Sequence, residues 1–133
     1  MKIIKFIWQL PQNLLGLLVI LFTGARYNDI SDNRSDNFWV THKYCFGVSL
    51  GNYIIFGNSY VLEKDLRHEQ GHQKQSLYLG WLYLIVIGLP SVLGNLWDRI
   101  AHKKWNRYRR WHWYYTLPWE RWADLLGDVD RFN

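Results

Sequence analysis

The stretch LYLGWLYLIVIGLPSVLGNLW, residues 77–97, carries no charged side chain and is long enough to cross a bilayer as one helix. Yet Gly88-Leu89-Pro90-Ser91 stands at its middle. Proline removes a helix donor and clashes with the preceding turn, so a kink or reversal is expected there. Each half is then about eleven residues, or roughly 16 Å of helix, about half the hydrocarbon thickness. The flanks sharpen the constraint. RHEQGH (67–72) precedes the stretch and PWERWADLLGDVDR (118–131) follows it.

RHEQGH carries two histidines at the i and i+4 positions of an expected helix, so both imidazoles project from one face at a separation suited to one metal ion. Zinc accepts neutral imidazole nitrogen readily, which makes His68 and His72 candidate ligands. Glu69 stands beside the first of them. A carboxylate there can take the proton of water attacking a carbonyl, the water being acidified by zinc. Followed by QKQSLY, His72 lacks the Gly and third His of the longer HxxGxxH pattern. Glu120 and Asp124 are again one helical turn apart, on a helix opened by Thr116 and Pro118. Glu120 can complete a His₂Glu set, and Asp124 can accept a hydrogen bond from the far nitrogen of a ligating histidine and fix its tautomer. Asp98 and Cys45 are alternative third ligands with less support, while His42, His102 and His112 are expected to be surface or interfacial residues and not ligands.

An E-x-x-x-D helix downstream of H-E-x-x-H resembles the gluzincin group of zinc metallopeptidases. The resemblance implies Glu120 as third ligand and Asp124 as the residue orienting His68. GVSLGNYIIF, RHEQGH, LGWLYLIVIGLPS and PWERWADLLGDVDR follow one another as in small membrane-associated bacterial metallopeptidases, over about residues 45–131. The chain departs from that pattern at Gln70, where Tyr is usual, and at Gly127-Asp128, where two glycines are usual.

A full crossing by 77–97 would hold His68 and His72 some 30 Å from Glu120, on opposite faces of the membrane. The stretch is therefore expected to double back at Gly88–Ser91 as a helical hairpin, or to pack its halves inside a soluble core. The hairpin places HKKWNRYRR (102–110) on the same side as the metal, where basic residues favour the cytoplasmic face and anionic headgroups. WHWYYTLPW (111–119) then reads as an interfacial aromatic belt. A net charge of +5, with nine Trp and nine Tyr in 133 residues, agrees with such a surface. The mean hydropathy of −0.25 argues against several full spans.

The N-terminal run FIWQLPQNLLGLLVILFTG (6–24), preceded by Lys2 and Lys5, has the outline of a signal peptide, but Gln9, Pro11, Gln12 and Asn13 interrupt it. It reads as a retained anchor or an in-plane helix starting near Pro11. NDISDNRSDN (28–37) is an expected loop. FWVTHKYCFGVSLGNYIIFGN (38–58) predicts two or three short antiparallel strands, the last Tyr53–Phe56, and Asn58 or Ser59 a cap for the histidine helix. Tyr53, Ile54, Ile55 and Phe56 directly precede that helix and form a candidate edge for aligning an extended substrate. His112, Tyr114 and Tyr115 are candidate stabilisers of a developing oxyanion. The lone Cys45 can form no internal disulfide.

These readings predict an α+β chain: a mostly helical, zincin-like minimal domain with a short antiparallel sheet over residues 27–133, behind an anchor helix over 1–26. The expected activity is zinc-dependent hydrolysis of peptide bonds in a peptide or protein substrate, at a membrane surface and facing the cytoplasm. A non-catalytic zinc-binding membrane protein is the alternative. Nucleic-acid binding through the basic, aromatic stretch 102–115 is less favoured, because a membrane role accounts for that stretch more simply.

Overall fold

The computed structural model of the protein describes residues 1–28, 38–42, 47–57 and 61–132. Nearly all of the expected 28–37 loop, Cys45, and the expected cap at Asn58 or Ser59 lie outside these. The described residues form a mostly helical α+β structure with a small four-stranded mixed sheet.

Two helices open the chain, α1 (Lys2–Trp8) and α2 (Leu10–Thr23), bent by 88° at Gln9. Pro11 lies in the first turn of α2, where its missing N–H costs nothing. The residues that interrupt the apolar run are the buried ones: Gln9, Gln12 and Asn13 point into the protein, while Leu14, Leu17, Leu18, Leu21 and Phe22 point out. Gln12 donates to Ser76 Oγ and the Gly80 carbonyl, Ser76 donates to Gln9, and Asn13 accepts from the Asn52 backbone. The polar side chains of α2 thus stitch it to the rest of the molecule. The boundary expected at 26/27 falls inside a strand.

That strand, β1 (Arg26–Tyr27), pairs antiparallel with β2 (Trp39–Val40); β3 (Gly47–Leu50) and β4 (Tyr53–Phe56) form an antiparallel hairpin through Gly51-Asn52. Gly51 has φ +64, a conformation that glycine adopts without a steric penalty. The order is β1-β2-β4-β3, with β2 and β4 parallel. The expected all-antiparallel sheet is corrected to a mixed one: β4 returns between β3 and β2, not beyond β3. Successive side chains of β4 serve opposite layers. Ile54 and Phe56 pack with Phe38 and Leu66, and Ile55 packs with Ile20 and Ala25. The sheet is held between α2 and the histidine helix.

The histidine helix, α3 (Glu63–Leu79), has Glu63 and Asp65 in its first turn, where the helix dipole favours acidic groups. It ends at Gly80, φ +53, where a Cβ would run into the Trp8 indole. Trp8 donates to the Leu77 carbonyl and Trp81 donates to the Ile7 carbonyl, each at 2.8 Å, tying α1 to this corner.

The break expected at Gly88–Ser91 is not there. A π-helical turn over Leu84–Gly88 leads into α4 (Leu89–Ala101), and Pro90 lies in the first turn of α4. The widened turn absorbs the donor and the space that proline takes away. The reversal falls instead at Gly80: His72 before it and Ser91 after it reach the same carboxylate, that of Glu120. Leu84–Ala101 is one helix long and apolar enough to cross a membrane, and only 11% of it is buried. Its inward stripe is Tyr83, Ile87, Ser91, Gly94 and Asp98; its outward faces carry Ile85, Val86, Leu89, Val92, Leu93, Leu96 and Trp97.

Two helices complete the chain. The side chain of Asn106 caps α5 (Arg107–Thr116) at the Arg109 amide, and Pro118 opens α6 (Pro118–Leu126). Glycine lets α6 lie against α3. A Cβ on Gly71 would strike the Ala123 carbonyl, and one on Gly127 the Arg67 carbonyl.

Candidate metal centre

The α3–α6 contact brings together the side chains the sequence singled out. His68 and His72 face α6 one turn apart on α3; Glu120 and Asp124 face α3 one turn apart on α6. Glu120 Oε2 lies 3.0 Å from His68 Nε2 and 3.1 Å from His72 Nε2, and the two nitrogens are 3.1 Å apart. All of these side chains are buried.

The far nitrogens settle what the near ones can do. His68 Nδ1 is 2.7 Å from Asp124 Oδ1, and His72 Nδ1 is 2.7 Å from Gln75 Oε1. A proton donated from each Nδ1 leaves a lone pair on each Nε2. Two lone pairs and a carboxylate oxygen then converge on one point, an arrangement that repels unless a proton or a metal cation sits within it. His68, His72 and Glu120 form a buried group that could hold a metal ion, with ligand atoms all within 4.8 Å of one another. A tetrahedral ion with bonds of about 2.05 Å needs ligands about 3.3 Å apart. The observed 3.0–3.1 Å fits with an opening of a few tenths of an ångström.

The remaining oxygen of Glu120 is also held. Ser91 donates to Glu120 Oε1 at 2.6 Å and Tyr114 donates to it at 3.0 Å. Asp124 in turn accepts from Arg131 at 2.8 and 2.9 Å, and the Arg131 guanidinium stacks 3.7 Å above the Tyr115 ring. Glu69 is arranged differently. It is buried, and its Oε2 has no hydrogen-bond partner among the described residues. It lines a cavity of about 710 Å³ together with His68, His72, Glu120 and Tyr115. An orphaned buried carboxylate oxygen beside a ligand triangle fits a water molecule in the cavity.

Electrostatics follow from this packing. Burial alone would lower His68, but hydrogen bonds to Asp124 and Glu120, with Glu69 nearby, outweigh it and lift its pKa to about 9. His72 moves the same way: burial opposes the rise, and Glu120 and Glu69 drive it. Glu120 is held well below the usual carboxylate range, because both imidazoles overcome the cost of burial. Asp124 is lowered too, with His68 and Arg131 outweighing its burial. Glu69 is raised by burial, which the two histidines only partly offset. Without a cation, then, protons fill the triangle.

Of the three candidate oxyanion stabilisers, the structure brings in two. The Tyr114 hydroxyl is committed to Glu120, whereas Tyr115 stands edge-on to His68 with ring centroids 5.1 Å apart and lines the cavity with no hydrogen-bond partner among the described residues. His112 is excluded by position: it is exposed and packs on Phe132. Tyr53–Phe56 is corrected as well. β4 is paired on both edges, with β2 and β3, so it offers no edge to a substrate. The strand beside the cavity is β3, where a Cβ on Gly47 would come 3.4 Å from Glu69 Oε1. Asp98 is engaged elsewhere, with His102 and Arg110. Sequence reasoning missed Gln75, Ser91 and Arg131. Gln75 had a signal, since it lies three residues past His72 on the same helix face. Ser91 was read only as part of a break, and nothing local marks Arg131. No family model, no curated protein and no solved structure matches the chain.

Proposed function

We propose that the protein is a membrane-associated zinc metallopeptidase in which His68, His72 and Glu120 hold the ion and Glu69 is the general base. One observation carries the reading: three ligand atoms meet at 3.0–3.1 Å with an unpartnered carboxylate oxygen beside them, in a cavity large enough for a peptide segment. Zinc is the borderline ion that a His₂Glu set suits, and when bound it supplies Lewis-acid polarisation and acidifies water. Glu69 takes a proton from water as its oxygen attacks the carbonyl carbon of the peptide bond. It returns that proton to the departing nitrogen as the C–N bond breaks, leaving an amine and a carboxylic acid whose remaining water proton is then lost to solvent or to the amine. Tyr115 is placed to donate to the carbonyl oxygen. Asp124 and Gln75 keep both histidines in the tautomer that presents Nε2, and Ser91 and Tyr114 keep Glu120 from rotating away.

The membrane part of the reading rests on the outward apolar faces of α1, α2 and α4. The seating is in-plane. Were Leu84–Ala101 to cross a bilayer, Ser91 would sit about 10 Å from one end and about 15 Å from the other. Glu120, bonded to Ser91, would share that depth, and so would the exposed Arg121 and Lys74 beside the cluster. Each exposed cation at that depth costs about 3 kcal/mol. Lying flat keeps α3 and α6 in water and sets Lys103, Lys104, Arg107 and Arg109 against anionic headgroups of the cytoplasmic leaflet.

Two variants test the chemistry. Glu69→Gln keeps one zinc per chain and loses peptide hydrolysis; Glu120→Ala loses the zinc itself, measured by metal analysis of purified protein. An unchanged rate in Glu69→Gln would remove the proposed base, whereas a zinc-loaded parent that hydrolyses no peptide would leave a protein that only stores or senses the metal.

A further inference from the structure

We infer that the substrate is an apolar peptide segment that enters the cavity sideways from the lipid, an inference that rests on the peptidase reading above. The cavity has two kinds of wall. One carries the cluster, Glu69 and Tyr115. The other is apolar and includes Val48, Leu50, Leu84, Leu89 and Val92, with Leu15 contributed by α2. Among the described residues, no Lys or Arg lines it. An acidic substrate side chain would find no lysine or arginine there, and a polar one would meet mostly leucine and valine, with Ser49 and Asn95 among the few polar groups.

The apolar wall does not stop at the cavity. Leu15, Leu89 and Val92 are 40%, 53% and 65% exposed, so the same side chains border the cavity and belong to the outer surface. On α2 that surface continues through Leu14, Leu18 and Phe22, and on α4 through Leu93 and Leu96. A segment moving from lipid past α2 and α4 to the ligand triangle stays among apolar groups all the way. The basic stretch past the end of α4 and the indoles of Trp8, Trp81 and Trp97 flank the same surface, as expected of a face that meets lipid. An extended segment is the occupant that fits, because β3 runs along the cavity beside Glu69.

The test uses the full chain with Co²⁺ in place of zinc, in nanodiscs of phosphatidylcholine and phosphatidylglycerol. Binding of hydroxamates is read from the cobalt visible spectrum, with no hydrolysis required. Acetohydroxamate reports access to the metal alone. Octanohydroxamate adds six methylenes, each worth about a fourfold gain if buried, so it should bind at least a hundredfold more tightly. N-palmitoyl-Leu-Leu-Leu-hydroxamate, anchored in the lipid, should bind more tightly than its unacylated counterpart. Leu89→Gln with Val92→Gln, both at exposed positions, should cut the octano-to-aceto ratio at least tenfold and reduce the advantage of the anchored peptide. Equal affinities for the short and long hydroxamates, or an anchored peptide whose advantage survives the double variant, overturn the apolar lateral route while leaving the metal site standing. A cobalt spectrum that acetohydroxamate does not perturb overturns the metal reading and this inference with it.

Discussion

The cavity is walled by two helix pairs built on opposite rules. The α3–α6 pair meets through glycine, buries its histidines and carboxylates, and leaves Glu63, Arg67, Lys74 and Arg121 outside. On α2 and α4 the sense is inverted: Gln12, Asn13, Ser91, Gly94 and Asp98 face in or are half-buried, and leucines face out. The first pair has the pattern water imposes, with the polar interior confined to one cluster in which only Glu69 Oε2 lacks a partner among the described residues. The second has the pattern of a protein whose surroundings are themselves apolar, where an inward polar group gains a hydrogen bond and an outward leucine loses nothing. On the membrane reading proposed above, the cavity lies where these two patterns meet.

Breaking the first pair should have the largest effect. On an open helix, Gly→Ala stabilises by about 1 kcal/mol. At Gly71 the new methyl would press on the Ala123 carbonyl, so Gly71→Ala should instead destabilise by about 3 kcal/mol and push α6, with Glu120, away from the histidines. Melting temperature and cobalt affinity should fall together. A variant that melts higher than the parent would mean that α3 and α6 are not in contact at Gly71.

A subtler cut is Gln75→Leu. It keeps the bulk but leaves the His72 Nδ1–H buried without an acceptor, and it also frees the Trp119 carbonyl. Loss of such a second partner typically weakens metal binding by about tenfold to a hundredfold. Competition against a chromogenic chelator measures it. A Gln75→Glu variant should restore most of the affinity, since a carboxylate accepts the same proton; failure of that rescue would assign Gln75 to packing alone.

This asymmetry also explains how far the chain could be read unaided. The cluster was legible because its parts obey a local rule: His68/His72 and Glu120/Asp124 are each one helical turn apart, and helical spacing survives whatever the tertiary fold does. The strand Tyr53–Phe56 was legible for the same reason, but its place in the sheet was not, because neighbours in a sheet are set by long-range pairing with β2. The convergence of the ligands was foreseen, but the hairpin expected within 77–97 is not formed: the chain stays helical through Gly88–Ser91 and reverses at Gly80. Pro90 looked like the break, yet proline is harmless in a first turn and a π turn precedes it. Gly80 looked ordinary, and only the packing of Trp8 reveals why nothing larger fits. Asp128 is a smaller case: it is the one described non-glycine residue at positive φ, 56°, where the resembling pattern has glycine.

Protons sharpen the comparison from the first pair's side. With its pKa lifted to about 9, His68 in the metal-free protein is charged at pH 7, and that charge stabilises the fold. The direction is that of a raised folded-state pKa: the contribution is complete below the ordinary value of about 6.5 and is lost as pH rises through 9. The metal-free protein should therefore lose stability between those limits, and the zinc-loaded protein should not. Zinc binding at pH 7 should release about one proton or more, because the ion replaces what held the triangle together. Calorimetry in buffers of different ionisation enthalpy counts that proton, and a count of zero would contradict the charged state assigned to His68.

The smallest change in folding stability belongs to the second pair, and its smallness is the point. Leu93→Asn with Leu96→Asn alters two exposed positions on α4. In detergent the melting free energy should shift by no more than about 0.5 kcal/mol, because both side chains are more than half exposed. Partition onto vesicles containing anionic lipid should nevertheless weaken, since each leucine side chain returned to lipid regains about 1.5–3 kcal/mol that asparagine does not. The control is Lys103→Gln with Lys104→Gln, which should weaken binding only at low salt, as expected of contacts to headgroups and not to acyl chains. If the asparagine pair instead unfolds the protein while vesicle binding of the surviving fraction is unchanged, α4 is covered by protein, and the inverted pattern of α2 and α4 would then belong to an interface between chains.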